Sequence, residues 1–208
     1  MEQRHLVEHE HLEQLQPGFH SFVTNNIISG SYDNSSHHSD GNGIIIDRGG
    51  NISPVLIANN LVYENYYRCI HSFHVQNVWL VNNTCYKNAL RYNPPGDIAG
   101  EITMYDAQNI HVINNVVRAW TNTYPYKLEA GSSAVFQRNA AYGGRTSLVP
   151  SSVLNDPAQL RTVDPHFVDP LVVDATASGQ WARALQPWLV GGRFHLQAIS
   201  QLVEFRSS

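Results

Sequence analysis

The chain has 208 residues, 42% of them hydrophobic and only 14% charged, so it can build a substantial core but has fewer surface charges than most globular proteins. Its 13 Lys and Arg against 17 Asp and Glu give a net charge of −4, with no basic cluster, which argues against a nucleic-acid partner. No apolar run approaches the roughly 18 residues of a membrane span, and the His- and Glu-rich start, Met1 to Gln16, lacks the apolar segment of a secretory signal.

Residues 1–18 carry Glu8, His9, Glu10 and His11 before Pro17-Gly18 and read as a terminal cap or irregular segment. From 19 to 149 one phrase keeps returning: Phe22-Val23-Thr24-Asn25-Asn26-Ile27-Ile28, then Leu56-Ile57-Ala58-Asn59-Asn60-Leu61-Val62, then Leu80-Val81-Asn82-Asn83-Thr84-Cys85, then Val112-Ile113-Asn114-Asn115-Val116-Val117. A weaker copy ends on Asn139. Short apolar stretches around a fixed Asn, recurring at intervals in the twenties and thirties, are the signature of a β-solenoid, whose coils bury their apolar faces only against one another. Asn tolerates the left-handed backbone of a sharp corner, and stacked amides can bond coil to coil, so Asn26, Asn60, Asn83, Asn115 and Asn139 read as structural.

A second strand type runs beside the first: Gly43-Ile44-Ile45-Ile46-Asp47, Cys69-Ile70-His71-Ser72-Phe73 and Glu101-Ile102-Thr103-Met104-Tyr105. If Ile44, Ile70 and Ile102 point inward, alternation sends Ile45, His71 and Thr103 outward together, with Glu101 outward as well. Loop insertions are expected at 30–42 and 89–99. Cys69 and Cys85 fall in different parts of the repeat, which argues for small buried residues rather than a disulfide, and neither has metal-ligand spacing. Residues 150–208 lose the repeat, carry the breaks Asp156-Pro157, Asp164-Pro165 and Asp169-Pro170, and read as a segment laid over the end or side of the solenoid.

The stretch His37-His38-Ser39-Asp40-Gly41-Asn42-Gly43-Ile44-Ile45-Ile46-Asp47, followed by the Asn-Asn strands, resembles bacterial right-handed parallel β-helix repeat proteins, which are similar to the pectate-lyase-like group. The tail, Asp164-Pro165-His166-Phe167 through Phe194-His195-Leu196-Gln197, resembles the closing segment of many such secreted proteins. The resemblance implies an all-β, right-handed parallel β-helix with a non-repetitive C-terminal segment, an extracellular or cell-surface location, and a polysaccharide partner. Relative to that group the coils before Asp40-Gly41-Asn42-Gly43 are largely missing and the ending after Gln197 differs, so both ends read as truncated or altered and open to self-association.

A lyase-like site on this fold needs acidic oxygen ligands, often for calcium, a base beside the uronate carboxylate, and an exposed groove along one sheet. The expected calcium ligands are Asp40 and Asp47; His71, Arg68 and Lys87 are the candidate catalytic groups, and Glu101, Thr103 and Arg91 the candidate substrate contacts. The clustered Asp residues of a calcium-type lyase are not evident. Two other readings therefore stay open beside a lyase acting on acidic polysaccharide: a non-catalytic polysaccharide-binding or cell-surface module, and a truncated inactive fragment.

Overall fold

The computed structural model describes residues 18–36, 40–50, 54–90 and 99–167. The expected N-terminal cap, Arg91 and most of the expected C-terminal segment lie outside these residues.

The described chain winds as a parallel β-helix. Its strands are β1 (Ser21–Thr24), β2 (Ile27–Ser29), β3 (Ile44–Gly50), β4 (Val55–Ala58), β5 (Leu61–Tyr63), β6 (Ile70–Val81), β7 (Thr84–Tyr86), β8 (Gly100–Tyr105), β9 (Gln108–Ile113), β10 (Val116–Arg118), β11 (Tyr124–Leu128), β12 (Ala134–Gln137), β13 (Asn139–Tyr142) and β14 (Leu160–Thr162). Every pairing between them is parallel and joins equivalent strands of successive coils. Three walls result. The first contains β3, the front half of β6, β8 and β11. The second contains β1, β4, the rear half of β6, β9 and β12. The third runs β2, β5, β7, β10, β13, β14, and the long strand β6 joins the first two walls into one sheet.

The register stacks like on like. Ile44, Ile70, Ile102 and Tyr126 form one interior column. Ile57, Leu80, Val112 and Phe136 form a second, and Val62, Cys85, Val117 and Ala141 a third. All these side chains lie in one core cluster, and burying each large aliphatic one stabilises the fold by about 1.5–3 kcal/mol. A single-turn helix, α1 (Ser151–Leu154), and β14 add Val153 and Leu160 to the same core, closing the C-terminal end of the lumen. Val163 and Phe167 then pack on the outside of the third wall against Tyr63, Tyr86, Val116 and Ala140.

The paired asparagines divide the work of the corner. The first of each pair takes the left-handed backbone: Asn25, Asn59, Asn82 and Asn114 have φ of 58°, 58°, 55° and 55°, with Arg138 at 53° in the last copy. The second turns its amide inward. Asn26, Asn60, Asn83 and Asn115 each donate from Nδ2 to the Oδ1 of the next, ending on Asn139, at 2.9, 2.9, 3.0 and 3.1 Å. The same oxygens accept the backbone N–H of the preceding Asn, so the ladder satisfies groups the turn would otherwise strand.

A second, shorter ladder begins five residues later. Ser31 N–H donates to Asn65 Oδ1 at 3.0 Å, Asn65 Nδ2 to Asn88 Oδ1 at 2.8 Å, and Asn88 Nδ2 to Glu101 Oε2 at 2.8 Å. Glu101 therefore does not face outward as alternation suggested; it is fully buried. The reason is the corner before the first wall, where positions 43, 69 and 101 turn inward. A Cβ on Gly43 would lie 2.9 Å from Asn65 Nδ2, which only glycine avoids.

Cys69 and Cys85 form a disulfide, contrary to the sequence expectation. Cys69 opens one coil and Cys85 sits in its third wall, 16 residues on, so winding the coil brings their Cα atoms to 5.8 Å. Different places in the repeat proved to be opposite sides of one lumen.

Candidate functional site

The outer face of the first wall carries two rows of side chains. Ile45, His71, Thr103 and Lys127 form one row by register, as alternation predicted for the first three. Solvent hardly reaches it: His71 is 6% and Thr103 0% exposed, whereas Ile45 is 39% exposed. Lys127, missed in the sequence, ends the row and pairs through Nζ with Glu129 Oε1 at 3.1 Å.

The neighbouring row is more open. Asp47, Phe73 and Tyr105 are register partners. The Phe73 and Tyr105 rings stack with centroids 5.3 Å apart and planes 24° apart, and Tyr105 is 41% exposed. One residue further on, the chain turns from the first wall into the second at Arg48, His74 and Asp106, all with left-handed backbone, φ of 50°, 50° and 46°. Arg48 sits at an irregularity in the β3–β6 register, whereas His74 and Asp106 stand side by side on successive coils, which lie about 4.8 Å apart. His74 Nδ1 and Asp106 Oδ2 are 2.7 Å apart, and both side chains reach solvent. The Arg48 guanidinium is 77% exposed, with only a loose 3.7 Å approach to Asp47. A separate open cavity of about 240 Å³ lies beyond β11, lined by Glu129, Gly131, Ser132 and Leu148 among others.

With Nδ1–H held by Asp106, the other imidazole nitrogen of His74 keeps its lone pair and can accept a proton. The stacked rings offer an apolar platform beside it, and Arg48 offers a cation to an approaching anion.

The other expected residues are dispersed. Arg68 is buried before β6, with its guanidinium 3.8 Å over the Tyr67 ring. Lys87 lies at the corner after the third wall, its Nζ 4.6 Å from the Trp120 ring centre. Burial and then Arg118 hold its pKa down, and the adjacent Glu64 carboxyl is pushed up to about 7 by burial against the pull of Lys87. Asp40 is exposed, away from the first wall's strands, and its backbone N–H donates to Asp33 Oδ2 at 3.1 Å. Asp47 stands on the first wall. Among the described residues, the group of three or more His, Cys, Asp or Glu side chains drawn within metal-binding reach is Cys69, Cys85 and Glu101, which includes neither Asp40 nor Asp47. That set lacks the hard oxygen shell calcium requires, and the expected calcium ligands are not gathered into one.

A second aromatic ladder lies on the outside of the second wall. Trp79 stacks on His111 with centroids 3.9 Å apart and planes 13° apart, and Phe19 meets Trp79 edge-on at 5.6 Å.

A family model described as the right-handed beta helix region matches residues 15–169. Neither curated proteins nor solved structures yielded a match. With three quarters of its length covered by that model, and parallel coils throughout the described residues, the chain belongs to the right-handed β-helix family.

Proposed function

We propose that this β-helix is a carbohydrate-active protein that lays an acidic polysaccharide along the outside of its first wall and cleaves it by β-elimination at His74. The observation that carries the reading is the 2.7 Å His74–Asp106 contact at an open corner, flanked by the Phe73–Tyr105 stack and by Arg48. In this reading a sugar ring rests on the aromatic pair and Arg48 holds the uronate carboxylate. His74 then takes the proton from the carbon beside that carboxylate. The freed electron pair forms the ring double bond, and the glycosidic oxygen leaves and is protonated by water. His74 and Arg48 replace His71, Arg68 and Lys87 as base and clamp, and no step runs through calcium. A pectate-lyase-like relationship would fit this chemistry. The buried disulfide suits an extracellular or cell-surface setting.

The second reading is a non-catalytic polysaccharide-binding module, favoured by the additional Trp79–His111 ladder on the adjoining wall. One experiment separates them. The protein is incubated with a panel of polyuronates, with and without calcium, while the absorbance of the unsaturated product is followed and binding is measured in parallel. Product formation lost in His74→Gln, with binding retained, supports the lyase. Binding without product supports the module, and neither binding nor product refutes both.

A further inference from the structure

The buried trio Cys69, Cys85 and Glu101 lies away from the proposed groove and plays no part in it. Glu101 is fully buried, and a carboxylate oxygen comes within 4.8 Å of both sulfurs. Its Oε2 accepts from Asn88, but Oε1 is buried with no hydrogen-bond partner. An unpaired buried oxygen is destabilising, and the ladder needs only one acceptor at this place. The second oxygen is unexplained by packing.

We propose that in the dithiol state Cys69, Cys85 and Glu101 bind one zinc-class divalent cation. Two thiolates and a carboxylate are a donor set suited to zinc or cobalt, with water in the fourth position. In tetrahedral geometry such ligand atoms lie about 3.5–3.8 Å from one another, a separation the two sulfurs take up only once their bond is cut, with the Glu101 carboxylate already within 4.8 Å of both. Asn88 supplies the outer support, holding one carboxylate oxygen while the other is left for the ion. Reduction by a phosphine passes two electrons to the disulfide. Two thiols form, and the phosphine takes up oxygen from water to become its oxide. Metal entry then displaces the two thiol protons and that of the Glu101 carboxyl.

The test uses the full chain, reduced with a resin-bound phosphine that is then removed under anaerobic conditions, and titrated with Co²⁺. One equivalent should bind with a thiolate-to-cobalt charge-transfer band, a band the oxidised chain does not give. Zn²⁺ should displace the cobalt. Glu101→Gln, which keeps an acceptor for Asn88, should weaken binding at least about tenfold and shift the cobalt spectrum. Absence of the band in the reduced chain, or equal affinity in Glu101→Gln, overturns the proposal. If reduction unfolds the protein by circular dichroism, added metal should restore the β signal. Thiolate binding without refolding counts against the site.

Discussion

Glu101 makes the stability of the fold depend on pH in a way a single substitution can isolate. Its carboxyl is fully buried and its pKa is pushed from the ordinary 4.5 to about 8, mainly by desolvation and in spite of the two hydrogen bonds from Asn88. The folded state therefore keeps a proton that the unfolded chain releases. The stabilisation from this group is fully present below pH 4.5 and is lost as pH rises through about 8. Its whole span is about 5 kcal/mol, and most of it, about 3–4 kcal/mol, disappears between about pH 5 and about pH 8. Urea unfolding of the oxidised protein at those two pH values measures the loss, which corresponds to a midpoint shift of about 1–2 M. Glu101→Gln keeps an acceptor for Asn88 and cannot ionise, so its midpoint should move less with pH by that amount. Identical pH slopes for wild type and Glu101→Gln would refute the buried neutral acid.

Glu64→Gln should act in the same direction but more weakly: stability from a neutral Glu64, present at low pH and lost as pH passes about 7, is about 2 kcal/mol and would vanish from the same urea comparison. Asn115→Ala removes a link with partners on both sides, Asn83 and Asn139, and should cost about 3 kcal/mol or more in denaturant unfolding. Reducing the Cys69–Cys85 bridge in metal-free buffer, which opens a loop of 16 residues, should cost about 3 kcal/mol and lower the melting temperature. Tyr105→Ala should weaken polyuronate binding about tenfold with little effect on thermal unfolding, since the ring is 41% exposed.

The architecture was legible because the solenoid repeats its physics at every turn. An Asn-Asn pair flanked by apolar residues marks a corner whose first residue must adopt left-handed backbone and whose second must satisfy buried polar groups, and both demands are visible in residue type alone. The inward column of Ile44, Ile70 and Ile102 followed from two-residue alternation. Alternation failed at Glu101 because it stands at the start of β8 beside a corner, where consecutive side chains can both turn inward. The disulfide was missed for a related reason: repeat position says which wall a residue occupies, but not that opposite walls of one narrow coil are close enough to bond.

The corner proposed as the site carries a signal in the sequence. Four residues beyond Ile44, Ile70 and Ile102 stand Arg48, His74 and Asp106, a cation, an imidazole and an acid at one repeat position. Two-residue alternation from Ile70 sends His71 outward and His74 inward, and the left-handed backbone at His74 breaks that alternation. Yet a stacked coil presents its strand side chains to their neighbours on both sides, which is why His71 and Thr103 are shielded despite facing outward. The corner residues splay away from the sheet, and His74 and Asp106 reach solvent. The column at the turn between the first and second walls is therefore more open to solvent than the His71–Thr103 row within the first wall.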